Sequence, residues 1–163
     1  MSKALMVTDE VLVRRARAGD GAAFVEFATR WWPVVGRVAW SMLGNVAQAV
    51  TVTEEAIRIV LESPQEPEPP ITCCMYRLVV WLAILRRRSN LCAALAPASP
   101  MFDALDRLNS VDRAALLLRD VEQLSVPEVA AVLECEAAEV RARVHRARLL
   151  VARSLEAELA AVA

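Results

Sequence analysis

Little in this chain suggests chemistry of its own. Glycine occurs only 4 times in 163 residues, aromatic residues make up 5%, and there is one histidine, His145. So few glycines argue against a turn-rich β-sandwich, which needs a turn roughly every ten residues. Lys3 is the one lysine among 19 basic residues, and the net charge of −1 gives no global signature for nucleic acid. No apolar run exceeds the eight residues Leu78 to Leu85, whereas a membrane span needs about 20. Met1 to Asp20 has no apolar signal-peptide core and is interrupted by arginines. A cytoplasmic chain without membrane insertion is expected. Cys73, Cys74, Cys92 and Cys135 show no CxxC spacing, and His145 has no cysteine at a metal-ligand distance along the chain. They read as small buried hydrophobes in a reducing compartment, with a redox or zinc role as the alternative. A Gly-rich phosphate loop, GxSxG and HExxH are all missing, so neither an enzyme nor a cofactor is expected.

What is present is apolar and arginine-rich. Hydrophobic residues make up 56% of the chain, above the usual ~45–50%. That excludes a disordered tail and hints at apolar surface kept for a partner. The arginines cluster at Arg14–Arg15–Arg17, at Arg86–Arg87–Arg88, and at Arg141, Arg143, Arg146 and Arg148. Arginine suits bidentate phosphate and base contacts, but a GC-rich genome produces the same bias.

The periodicity is helical throughout, divided by two proline-rich stretches at 63–70 and 96–100. A first helix opens at Thr8 or Asp9 with Val11, Leu12 and Ala16 on its apolar side. Gly19-Asp20-Gly21 ends it and Asp20 caps the next, which carries Phe24, Phe27, Ala28 and Trp31 at i, i+3, i+4 and i+7. Pro33 should bend or interrupt that helix, and Gly44-Asn45 should close it. Further helices are expected at 47–61, with Val52, Ala56, Ile59 and Val60 inward, and at 72–88. After the second proline stretch they are expected at 101–108, at 113–120 capped by Ser110 to Asp112, at 126–133 and at 137–159. Ser125-Val126-Pro127-Glu128 is a capping box with proline in the first turn. Two helices joined by a short turn, the second bearing a row of arginines, have the outline of a helix-turn-helix.

These residues resemble a family. Asp9-Glu10-Val11-Leu12-Val13-Arg14-Arg15-Ala16-Arg17-Ala18-Gly19-Asp20-Gly21-Ala22-Ala23-Phe24 looks like the opening of the extracytoplasmic-function (ECF) sigma factors. Ala115 to Ser125 is similar to that family's lead-in to its helix-turn-helix, and Val140 to Arg148 looks like its recognition helix. The resemblance covers nearly the whole chain. It implies an all-α fold of two small helical domains, a region 2-like bundle at 1–90 and a region 4-like helix-turn-helix domain at 101–163, joined by a linker at 91–100. It implies RNA polymerase core and promoter DNA as partners, with an anti-sigma factor as a further one, and promoter recognition and transcription initiation as the function. Matching the motif residue by residue assigns the upstream DNA element to Arg119, Arg141, His145, Arg146 and Arg148. Tyr76, Trp81, Arg86, Arg87 and Arg88 fall to the downstream element, and Gln48, Thr51, Glu54 and Glu55 to core polymerase. Arg141, His145 and Arg148 share one face at i, i+4 and i+7, so they can reach the same groove.

The sequence departs from the family pattern in three places. Gln48, Val50 and Thr51 stand where an acidic cluster is usual, leaving Glu54 and Glu55 for electrostatic docking. Leu78 to Leu85 is apolar where polar and basic residues are usual. Trp81 can stack on a base, but an apolar helix cannot hydrogen-bond one. Glu134, Glu136 and Glu139 bring acid to the turn and to the start of the recognition helix, where a phosphate would sit. Glu134 also occupies a position where glycine normally permits φ > 0. The alternative function is therefore a sigma-like regulator that binds a protein partner without opening promoters. An ordinary helix-turn-helix regulator is the third reading.

Overall fold

Helix α1 (Asp9–Arg17) begins the fold seen in a computed structural model, which describes residues 7–63, 70–89 and 99–162. Regular structure among the described residues is entirely helical. Leu12 and Val13 face inward while Val11 is exposed, so the apolar stripe runs through Val13 and not through Val11 as expected. Asp20 accepts from the Ala22 and Ala23 backbone N–H groups at 3.0 and 3.1 Å and opens α2 (Gly21–Leu43) as its sequence position suggests. These bonds, with that from Arg15, hold the Asp20 carboxyl below its ordinary value.

Helix α2 passes through Pro33 without a break and ends at Gly44, whose φ of 66° is the left-handed cap that glycine tolerates best. Its buried face is Phe27, Trp31, Val35, Val38, Ala39 and Met42, and Phe24 points to solvent. Asn45 caps α3 (Val46–Glu62) by accepting from the Gln48 N–H at 3.0 Å. Ile57, rather than Ile59, joins Val52, Ala56 and Val60 in the core. Helix α4 (Ile71–Arg88) lies across α2 and α3. Half of the run Leu78 to Leu85 is core: Val79, Val80, Ala83 and Ile84 are buried and Leu78 and Leu82 partly so, while Trp81 and Leu85 stand out at 44% and 57% exposure.

The second half starts at Pro100 with α5 (Pro100–Asp106). Apart from Ser99 and Pro100, the expected linker lies outside the described residues, as do Cys92 and most of the first proline stretch. Asn109, not Ser110, caps α6 (Ser110–Leu116) by accepting from the Asp112 N–H at 2.8 Å. The expected helix over 113–120 then widens into a π-helical turn (Leu117–Val121). Next come α7 (Val126–Leu133) and the long α8 (Ala137–Val162). A single apolar cluster runs from Leu12 through α4 into α6, α7 and α8 as far as Ala147, so one core spans both halves.

Among the described residues, two other than glycine have left-handed backbone, Gln123 at φ 62° and Glu134 at φ 53°. Glu134 is the C-cap of α7. A side chain in this region costs about 1 kcal/mol or more. Glu134→Gly should therefore raise stability by about 0.5–1 kcal/mol despite losing the exposed Arg77–Glu134 ion pair. Glu134→Ala, which keeps the strain and loses the pair, should give no gain. Urea midpoints of the two variants check this.

Candidate nucleic-acid interface

The helix-turn-helix is built from α7, a tight turn and α8. Its entry is fixed by the capping box: the Ser125 N–H donates to the Glu128 carboxylate at 2.7 Å and the Glu128 N–H returns a bond to Ser125 Oγ. Those bonds hold the Glu128 carboxyl below its ordinary value. Val129 and Val132 of α7 pack against Val140, Val144 and Ala147 of α8, which turns the opposite face of α8 to solvent.

The five upstream candidates divide into two sets. Arg141 and His145 are exposed, and neither forms a hydrogen bond or ion pair among the described residues. Arg119, Arg146 and Arg148 are held by the protein. Arg119 donates to the Leu124 carbonyl at 3.0 Å and closes the turn ahead of α7. Arg146 reaches the Asp112 carboxylate at 3.2 Å. Arg148 makes a two-pronged pair with Asp120 at 2.9 and 2.6 Å, which raises its affinity for its proton. Arg143 is drawn to Asp112 at 2.9 Å and also to Glu139. Burial works to raise the Asp112 carboxyl, but the hydrogen bonds from Arg143, Asn109 and Arg146 outweigh it and hold the group below its ordinary value. Arg119, Arg141, His145 and Arg148 line a cleft of about 180 Å³ with Val126, Val140 and Val144.

The downstream candidates on α4 are more dispersed. Tyr76 is 7% exposed, stacks edge-to-face on Trp31 at 6.2 Å, and donates from its hydroxyl to Glu122 at 3.0 Å. Burial, aided by Glu122, pushes its phenol well above the ordinary value. Arg86 bonds Glu55 at 3.1 Å and Gln48 at 3.3 Å, joining a downstream candidate to two of the polymerase candidates on α3. Arg87 donates to the Met42 carbonyl and to Asp106, both at 3.0 Å. Trp81 and Arg88 remain at the surface. Among the other polymerase candidates Glu54 and Thr51 are exposed, the Thr51 hydroxyl donating to the Ala47 carbonyl at 3.0 Å. Cys73, Cys74 and Cys135 are half-buried and form no disulfide, and burial pushes the Cys135 thiol up.

Sequence reasoning missed a set of charged residues that join the two halves. Arg113 is 0% exposed and donates twice to the Ser41 carbonyl, at 2.9 and 2.7 Å, and once to Asp106. Burial, with Arg87 nearby, lowers its pKa to about 10 against the opposing pull of Asp106. Arg37 clasps Glu122 at 2.6 and 2.7 Å. Arg77 donates to the Ala131 carbonyl at 2.7 Å and pairs with Glu134 at 3.0 Å. The one sequence signal was the position of Arg113, beside the apolar run Ala114 to Leu118. Beside this seam Trp40, Phe102, Leu116, Val121, Val151 and Leu155, with Ser41, help line an apolar groove of about 690 Å³ that bridges the halves.

Helical structure throughout the described residues, with an exposed, partly unpaired recognition helix behind a capped first helix, defines a helix-turn-helix protein. Residues 101–151 match the family model of sigma-70 region 4. The fold as a whole matches the structure of CnrH in complex with the cytosolic domain of CnrY, with a TM-score of 0.73 and 22% identity over 91% of this chain and 97% of that one. A chain of the RsbN–BldN complex aligns at 23% identity over 86% of this chain and 97% of that one, with a TM-score of 0.40. No curated protein sequence matches. The match to sigma-70 region 4 is thus confined to residues 101–151, and the likeness to CnrH is one of fold. Among the described residues no helix is long and apolar enough to cross a membrane.

Proposed function

We propose that this chain is an initiation subunit of RNA polymerase, a cytoplasmic protein without catalytic activity. In this reading a region 2-like part at 1–90 docks on core polymerase and opens the downstream element. A region 4-like part at 101–163 reads the upstream element, and 91–100 links the two. The observation that carries the reading is the pair Arg141 and His145, exposed and uncommitted on a recognition helix within the segment matched to region 4. Arg141 would supply a base-edge or phosphate contact and His145 a second contact one turn on.

Purified chain added to core polymerase should start transcription at a cognate promoter. Arg141→Ala should weaken binding to the upstream element by about 1–3 kcal/mol, or roughly fivefold to 150-fold. A gel-shift titration at fixed salt measures that loss. No association with core polymerase at low salt would sink the proposal.

A second reading, a sigma-like regulator that acts by binding protein, draws on two observations. Arg119, Arg146 and Arg148 are occupied by the protein's own groups. The groove between Trp40 and Leu155 offers an apolar seat of the size a partner helix would fill. CnrH was solved in complex with the cytosolic domain of CnrY, and an anti-sigma protein is the partner proposed for this chain. Core binding without any DNA footprint would favour this second reading over the first.

A further inference from the structure

We propose that the apolar groove is the seat of a second copy of this chain. The last turns of α8 of each copy enter the groove of the other, so the two pair about a two-fold axis. The proposal goes beyond both functional readings above and depends on neither.

One wall of the groove is α8 itself, through Arg148, Ala152 and Leu155, and the other is built from α2, α5 and the π-helical turn. The three α8 residues are four and three positions apart, and a further step of four reaches Leu159. That alternation keeps all four on one side of the helix, and it is the spacing of a helix packed on another helix. Within one chain the stripe is only half used. Leu155 lines the groove, while Leu159 one turn on is 73% exposed. The facing wall is unfinished too, since Trp40, Met101 and Val121 are 38%, 46% and 47% exposed. The Trp40 ring is fixed there by an edge-to-face contact with Phe102 at 4.8 Å. A bare apolar ridge that continues the wall of an unfilled apolar groove is self-complementary. Each copy gives its ridge to the partner's groove and receives one in return, as a two-fold interface requires. The stretch of α8 from Arg148 to Val162 is about 22 Å long, enough to lay Leu159 of one copy against the groove of the other.

The charges of α8 select the same occupant. Every charged residue from Arg141 to Arg153 is arginine, and the two that follow in α8 are Glu156 and Glu158. A two-fold axis across the groove sets the paired helices antiparallel. The acidic end of one then lies beside the arginines of the other, whereas a parallel pair would oppose glutamate to glutamate. Arg153 and Glu156 are exposed and form no ion pair among the described residues. Asp120, on the groove wall, is already neutralised by Arg148 at 2.6 Å and does not repel the incoming glutamates. A foreign apolar helix could fill the groove, but it would leave Leu159 bare and this order of charge unanswered. A second copy satisfies all three features at once.

Sedimentation velocity of the full chain at rising concentration tests the pairing. Wild type should pass from monomer to dimer in the micromolar range and go no further, because a two-fold interface closes on itself. Leu159→Glu on the ridge and Met101→Glu at the groove should each raise the dissociation constant about a hundredfold, since every dimer loses two apolar contacts and buries two charges. Both side chains are well exposed in the single chain, so circular dichroism and the urea midpoint of the monomer should stay as in wild type. Leu150→Glu is the control. Leu150 is 46% exposed but lies on the opposite side of α8 from Leu159, and its change should leave dimerisation alone. An equal mixture of the Leu159→Glu and Met101→Glu chains should associate about tenfold more tightly than either variant by itself. In the mixed pair one seat joins an intact ridge to an intact groove, and both faults fall on the other. A wild type that stays monomeric throughout the micromolar range would overturn the proposal and leave the groove to another protein. A dimer indifferent to Leu159→Glu, or a mixture no tighter than its components, would overturn it equally.

Discussion

Arg113→Ala is expected to cost about 3–5 kcal/mol of stability, the range for breaking a buried charged contact from one side. Arg113 is fully buried, and its guanidinium serves the Ser41 carbonyl with two N–H groups at 2.9 and 2.7 Å. Ser41 lies in the last turn of α2, where carbonyls have no partner within the helix. Truncation leaves that carbonyl without its donors inside the protein and opens a void the length of an arginine side chain. Asp106 loses one partner and keeps Arg87. Arg113→Met, which fills most of the volume and donates nothing, should recover about half of the loss by restoring packing alone. Arg58→Ala is the control: Arg58 pairs with Glu62 at the open surface, and its loss should cost less than about 0.5 kcal/mol. Urea midpoints with unchanged slope separate the three, and an Arg113→Ala midpoint equal to that of Arg58→Ala would contradict this account.

The second large effect has two parts of opposite sign. Asp112→Ala should lower stability by about 2–3 kcal/mol, as expected when a buried acceptor of charged donors is removed. The Asp112 carboxylate accepts from Arg143 at 2.9 Å, Asn109 at 2.9 Å and Arg146 at 3.2 Å, and it sits in the first turn of α6 where its charge suits the helix dipole. The same change releases Arg146, while Arg143 stays paired with Glu139. DNA binding by the surviving fold should strengthen at low salt, with a salt dependence steeper by about one released counterion. Acid should reproduce the stability loss. The folded-state pKa of Asp112 lies below its ordinary value, so its stabilisation is complete above the unfolded carboxylate pKa of about 4 and fades as pH falls through the folded value. Wild type should therefore lose more stability than Asp112→Ala between pH 5 and the acid limit, and thermal melts across that range measure the difference.

The parts of this protein that were legible in its sequence are those fixed by neighbours in the chain. Asp20 and the Ser125–Glu128 box announce helix starts because a short polar side chain meets free N–H groups two or three residues on. Glu134 marked a turn that needs φ > 0, and the backbone adopts it there in spite of the side chain. Long-range contacts were not legible. Arg113 meets Ser41 across 72 residues and Arg37 meets Glu122 across 85. A single charge in a helical pattern ordinarily points outward, and the apolar run Ala114 to Leu118 beside Arg113 is the one local mark that this charge points in. The π-helical turn was hidden for a related reason. Leu117-Leu118-Arg119-Asp120-Val121 continues the helical pattern of the residues before it, and only the hydrogen bonds reveal the extra width. Of the site candidates, the sequence pattern located the helices that bear them but could not tell Arg141, which is free, from Arg148, which Asp120 holds.

The shared core also bears on kinetics. Val79 and Val80 of α4 and Val129 and Val132 of α7 belong to one apolar cluster, so the halves cannot part by swinging on a hinge alone. Parting wets that seam, and the separated form is a minor species reached by partial unfolding. Promoter binding would then be limited at high DNA concentration by a first-order opening step. Its observed rate would level off as DNA is added, and the plateau would measure how often the closed chain opens without help.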